Sequence, residues 1–231
     1  MQTQTQTKDL QVREGRIELQ AQHLDSEKTF IYPPVRGTYN ECVDQLKEQG
    51  LYQPTFSEVV SLTHSVWQNP EEKYSKEIIK LMKYYWLRGF TGILYMQNEG
   101  AYIQDHPEIK NGRIFMDRKD LIAKLESKDP SVRFVPFGYK LEDQTASQLA
   151  KNPFVIGLTG SEEQAEKVGE IADKYRDKPH LWRFNSISEP ITRASPLYSD
   201  CSGYWLFVNG YDLDDNRYCY AFGVSAPKVL Q

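Results

Sequence analysis

The string Ser199-Asp-Cys-Ser-Gly-Tyr204 sets one thiol, Cys201, among small and polar residues just ahead of an apolar run. A cysteine attacks an amide as its thiolate, so it needs a base within hydrogen-bond reach. All four histidines (His23, His64, His106, His180) precede Cys201 in the chain. Only a permuted order with His180 as base and Cys201 as nucleophile would complete a cysteine hydrolase. A buried cysteine entering a core strand explains the same residues more simply.

Two further groups have residue types suited to a site. Asp212, Asp214 and Asn216 place oxygens at alternate positions, the first half of a calcium loop. An EF-hand then requires Gly at 217 and Glu at 223, where this chain has Arg217 and Gly223, so a polar hairpin tip is the simpler account. No metal is therefore expected. Beside that tip, Trp205, Tyr211 and Tyr218 have the flat faces that stack a sugar or a base, although alternating strand aromatics more often pack a core.

Basic residues cluster on the third predicted helix, where Lys73, Lys76, Lys80 and Lys83 recur at helical spacing and Arg88 closes the series. Three helices followed by a hairpin over 38–104 is the order of a winged-helix nucleic-acid-binding domain. Glu71, Glu72 and Glu77 offset much of that charge, and a lysine stripe opposite an apolar one is ordinary for a solvated helix. The segment Gly157-Leu-Thr-Gly160-Ser161 has no glycine-rich phosphate fingerprint, and Glu162 and Glu163 would repel an anion there. No cofactor is expected.

The elements that must position these residues follow from spacing and caps. Residues 1–30 begin with an alternating Gln/Thr tract and are predicted as a flexible polar tail, with a domain over 31–231 and a sub-boundary near 105–117. Thr38 to Gln49 reads as a helix closed by Gly50, and Thr55-Phe-Ser-Glu58 is a capping box opening the second. Asn69-Pro70 opens the third, expected to run to about Arg88. Ile93–Met96 and Ala101–Gln104 flank a turn as a hairpin. A helix over 117–125, a strand over 132–136 and a short helix over 141–151 come next. Phe154–Leu158 reads as an apolar strand feeding a capped helix from Ser161 to about Tyr175. At the end, 203–209 and 217–224 are expected to pair as an aromatic hairpin. The class is α+β: an N-terminal helical part with a β-hairpin, then a C-terminal mixed α/β part ending in an aromatic-rich hairpin.

Composition narrows the function classes. The 231 residues carry 28 Lys and Arg against 32 Asp and Glu, a formal net charge of −4, which suits neither a disordered acidic chain nor a basic nucleic-acid coat. Three cysteines without Cys-x-x-Cys spacing signal neither a disulfide framework nor a zinc ribbon. The N-terminus has no apolar targeting segment and no run is long enough to span a bilayer, so a cytoplasmic protein without membrane contact is expected.

Two resemblances complete the reading. Asp200-Cys-Ser-Gly-Tyr204 resembles the nucleophile segment of papain-like bacterial cell-wall peptidases, whose histidine lies downstream, unlike any here. The stretch Asp129-Pro-Ser-Val-Arg-Phe-Val-Pro-Phe-Gly138, with Leu149-Ala-Lys-Asn-Pro153, Glu166, Ala172-Asp-Lys-Tyr175 and Ala221-Phe-Gly-Val224, is similar to a family of uncharacterised archaeal proteins. That resemblance implies a cytosolic protein of unknown role and carries no catalytic residues. The leading expectation is a non-catalytic binding protein with a protein partner. Nucleic-acid binding comes second and hydrolysis at Cys201 third.

Overall fold

The computed structural model describes residues 12, 13, 15–138, 144–184, 186–210 and 212–226. The chain opens with β1 (Val12–Arg13), β2 (Arg16–His23) and β3 (Ser26–Arg36), followed by α1 (Tyr39–Glu48), α2 (Phe56–Gln68) and α3 (Lys73–Tyr84). Its middle contains β4 (Trp86–Met96), β5 (Gly100–Asp105), β6 (Glu108–Lys110), β7 (Arg113–Phe115), α4 (Arg118–Glu126) and β8 (Val132–Pro136). It closes with α5 (Ala146–Ala150), α6 (Pro153–Thr159), α7 (Glu162–Ala172), β9 (His180–Trp182), β10 (Ile191–Ser199), β11 (Leu206–Asn209) and β12 (Cys219–Val224). The α+β class is as expected.

One ten-stranded sheet organises these elements, in the order β1-β2-β3-β12-β4-β10-β11-β9, with β5 on β4 and β8 on β5. The 11-residue β4 is its axis. One edge of β4 is shared by β12 near Trp86 and by β5 from Thr91 onward, while β10 runs antiparallel along the other. β6 and β7 form a separate two-stranded sheet within the stretch read as a sub-boundary.

Strand alternation gives the sheet two faces with different covers. Leu87, Leu197, Val208 and Leu181 point to the face packed by α2, α3 and α5 to α7, in a core that includes Phe56, Val60, Ile78, Phe154 and Val168. The opposite face carries Val35, Phe90, Leu94, Tyr102 and Ala221, covered by Tyr39, Cys42 and Leu46 of α1 and by Leu121 of α4. The predicted caps hold the helices in place. Thr38 with Glu41 and Thr55 with Glu58 both form complete capping boxes, satisfying N–H groups that a helix start leaves open.

Four expectations are corrected. The stretch 15–30 is not all tail: β2 and β3 form an antiparallel hairpin that buries Ile17, Ala21 and Phe30, apolar residues sparse enough to pass for polar chain. Residues 1–11 lie outside the described residues. The third helix stops at Tyr84, and the chain through Arg88 is already β4, because alternating inward and outward residues from Trp86 fit a strand with a core on each side. Phe154–Leu158 is helical: Asn152 caps it, Pro153 takes a position that needs no N–H, and Gly160 ends it at φ 80°. Finally, β11 and β12 do not pair with each other. β11 joins β10 and β9, while β12 inserts between β3 and β4.

Candidate functional site

The register of four strands builds two adjacent cross-strand rows. Leu87 of β4 faces Leu197 of β10, which faces Val208 of β11, which faces Leu181 of β9, and all four are buried. One residue along, the side chains must point to the other face. There Tyr198 pairs with Phe207 and Phe207 with His180, while Trp86 precedes Leu87. The result is a file of rings across four strands. Trp86 and Tyr198 stack with centroids 4.7 Å apart, Tyr198 and Phe207 at 4.9 Å, and Phe207 and His180 at 5.3 Å. These steps repeat the spacing of neighbouring strands, about 4.8 Å, so the sheet itself sets the stack.

Orientation follows from those numbers. The interplanar angles are 19°, 10° and 15°, and flat-lying rings would collide at such separations. The rings therefore stand on edge with their faces against one another. All four are half-buried, and the file continues into Trp182, which is 40% exposed, with its ring 6.4 Å from Phe207. Trp205 lies 6.2 Å from His180, and the exposed Tyr204 meets Trp205 edge to face.

The loop beside this row contains the thiol. Asp200 Oδ1 accepts from the N–H groups of Tyr204 and Trp205 at 2.7 and 2.8 Å, and Oδ2 accepts from the Ser202 N–H at 3.0 Å and from its hydroxyl. Gly203 supplies the φ of 72° that closes the turn. The Asp-Cys-Ser-Gly string is thus a turn built around a carboxylate, with Cys201 exposed on it rather than buried at a strand entry. His180 is committed to the ring stack, and no hydrogen bond or ion pair joins it to Cys201 among the described residues.

The acidic tip is a bracket for the fold. Buried Asp212 accepts from Asn216 Nδ2 at 2.9 Å and lies 3.6 Å from the guanidinium of Arg88, which is also fully buried. Arg88 Nη2 donates to the Asn216 carbonyl at 3.0 Å, and its guanidinium sits 5.4 Å from the Tyr39 ring centroid. Burial works against the Arg88 charge, but Cys219, Asp212 and Cys42 outweigh it and hold the group above its ordinary value. For Asp212 burial dominates and pushes the carboxyl up, with Arg88 and Asn216 pulling the other way. Burial likewise raises the Cys42 thiol to about 11 and that of Cys219 to about 12. Asp214 is held by Arg113 at 2.8 Å and by the Ile114 N–H. No three His, Cys, Asp or Glu side chains gather as a metal site among the described residues.

The basic series is dispersed. Arg88, expected on the helix surface, is enclosed in β4, a correction that removes it from any phosphate-facing stripe. Lys73 lies over the Tyr74 ring and Lys76 pairs with Glu71 at 2.9 Å. Lys76, Lys80 and Lys83 border an open cleft of about 440 Å³ with Trp67, Ile79 and Tyr84. Tyr218 is exposed, and Tyr211 lies outside the described residues. Of the expected aromatic contacts only Trp205 joins the ring file. Sequence reasoning missed Trp86, Tyr198, Phe207 and Trp182. Their signal is an aromatic or imidazole ring beside an aliphatic residue in Trp86-Leu87, Leu197-Tyr198, Phe207-Val208 and His180-Leu181-Trp182, which becomes informative only once the strand order is known.

Comparison with known proteins gives a fold. No family model matches this chain, and no curated protein matches it. A solved structure from work on the accommodation of massive sequence variation in Nanoarchaeota by the C-type lectin fold is similar over 89% of this chain and 100% of its own. Its TM-score is 0.54 at 13% identity. The resemblance to uncharacterised archaeal proteins therefore meets an archaeal neighbour at the level of fold alone.

Proposed function

We propose that this chain is a non-catalytic binding protein that docks a protein partner on the ring file of Trp86, Tyr198, Phe207, His180 and Trp182. The observation that carries this reading is the division of labour between adjacent rows. The Leu87, Leu197, Val208 and Leu181 row fills the core, while the next row leaves half-buried rings across four strands and ends in the exposed Trp182. Tyr and Trp dominate the energetics of protein interfaces because they bury a large area with few rotatable bonds. The neighbour's fold is described as accommodating massive sequence variation, which suits a scaffold whose buried rows keep stability while its outward rows are free to recognise.

Ring orientation favours a protein over a sugar or a base. Sugar and base platforms offer ring faces, whereas here the faces within the file are turned against neighbouring rings and their edges point outward. Ridges of ring edges interlock with aliphatic and aromatic side chains. The test is panning of a displayed random-peptide library on the protein, with affinities of the selected peptides compared on wild type and on Tyr198→Ser/Phe207→Ser. Peptides that lose about tenfold or more on the variant, about 1.4 kcal/mol, support the reading. Peptides that bind both proteins equally overturn it, as does file-dependent binding confined to glycans or oligonucleotides in a parallel panel.

A further inference from the structure

We infer that the cleft between α2 and α3 is a second binding site, for a small amphipathic acid: an aromatic or alkyl body carrying one carboxylate. It lies among the helices that cover the Leu87, Leu197, Val208 and Leu181 face, opposite the ring file, and needs nothing from that file.

The walls come from the helix hairpin itself. α2 ends at Gln68 and α3 begins at Lys73, and the groove between them opens to about 440 Å³, within the range of about 300 to 1,000 Å³ typical of small-molecule sites. Trp67 at the end of α2, Pro70 in the turn, and Ile79 and Tyr84 beyond it give apolar walls, while Lys76, Lys80 and Lys83 add charge along α3. Trp67 and Ile79 are anchored by packing against the core, and the Tyr84 ring is exposed. Lys83 is steadied as well. A Cβ on Gly203 would stand 2.8 Å from Lys83 Cε, so the lysine stem lies against the turn around Asp200.

The polar groups of this lining are unbalanced. Lys76, Lys80 and Lys83 can only donate, and so can the Trp67 indole, whose buried Nε1 has no hydrogen-bond partner among the described residues. The one carboxylate of the lining, Glu71, is paired with Lys76 at 2.9 Å. Lys80 and Lys83 make no ion pair among the described residues. Two ammonium groups three positions apart on one helix, beside apolar walls and with no acid between them, complement a single carboxylate on an apolar body. In a chain of net charge −4 this concentration is local. A nucleic acid needs cations repeated along its phosphates. With Arg88 enclosed in β4, Lys73 over the Tyr74 ring and Lys76 on Glu71, only Lys80 and Lys83 are left, enough for one anionic head.

The test follows the tryptophan indole N–H signals of isotope-labelled protein by NMR during titration with octanoate, phenylbutyrate, their neutral amides, octylamine and a short oligothymidylate. Trp67→Phe identifies the Trp67 signal. Both acids are expected to move that signal with a Kd below about 1 mM at about 50 mM salt, to bind about fivefold tighter than their amides, and to lose the margin at about 300 mM. Lys80→Gln/Lys83→Gln should bring the acids down to the amides and leave the amides unchanged, while Tyr198→Ser/Phe207→Ser should bind as wild type does. A Kd above about 1 mM for both acids overturns the inference, as does equal binding of acid and amide. Tighter binding of octylamine overturns it too, and so do acids that move the Trp86, Trp182 or Trp205 signal in place of that of Trp67. Lysine-dependent binding of the oligothymidylate where neither acid binds overturns it in favour of a nucleic acid.

Discussion

Replacing Arg88 by Met removes a buried cation while keeping a side chain of similar length, and it leaves the enclosed Asp212 with the neutral Asn216 amide, Leu213 N–H and Cys219 thiol beside it. At 3.6 Å and an effective dielectric of about 20, the lost attraction is about 5 kcal/mol. The penalty has a ceiling, because Asp212 can take up a proton. From an ordinary value of 3.8, protonation at pH 7 costs about 4.4 kcal/mol. The variant should therefore lose about 3 to 4.4 kcal/mol at pH 7, or about 6 to 18 °C in Tm. The sign with pH is fixed. In the variant the folded carboxyl is raised above its unfolded value, so the deficit is largest above that value and shrinks as pH falls toward it. At pH 5 the ceiling is about 1.6 kcal/mol, and urea unfolding of both proteins should show the gap narrowing by roughly 2 to 3 kcal/mol. A deficit below about 1 kcal/mol at pH 7, or one that ignores pH, would refute the buried pair as the bracket behind the site.

Other consequences follow from single contacts. His23 Nδ1 meets Ser61 Oγ at 3.0 Å, and burial holds the imidazole below its ordinary 6.5, with Glu58 pulling it up. Its stabilising share is present above that value and lost as pH falls through the folded one, so His23→Gln should flatten the stability profile below about pH 6.5. A Cβ on Gly89 would stand 2.4 Å from Phe56 Cα, so Gly89→Ala should cost about 1 to 3 kcal/mol of unfolding free energy as β4 is pushed off α2. Exposed Cys201 should react with a thiol reagent at once while buried Cys42 and Cys219 wait for unfolding. That rate should be the same in His180→Ala, whereas a rate that falls with His180 would revive the hydrolase reading.

The sequence made the local elements legible where caps and turn residues act on their own neighbours. Thr38, Thr55 and Ser161 open their helices, and the turn after Met96 joins β4 to β5. It misled where tertiary neighbours decide. Trp86 to Arg88 continue a helical pattern until β12 and β10 claim them from both sides, and Phe154 to Leu158 are as apolar as a strand although Asn152 and Gly160 cap them as a helix. The candidate site was the least legible part. Its rings lie at 86, 180, 182, 198 and 207, brought together only by a sheet order that no local pattern encodes. Asp200 and Gly203 show the converse, since their turn chemistry was visible in the string but was outweighed by the cysteine between them.

The most direct test of the central claim is hydroxyl-radical footprinting of the protein alone and with a selected peptide bound. Protection is expected to concentrate at Trp86, Tyr198, Phe207 and Trp182, with the exposed Tyr52, bridged to Val224 at the opposite end of β12 from Trp86, unchanged. Protection elsewhere with the ring file still fully labelled would contradict it.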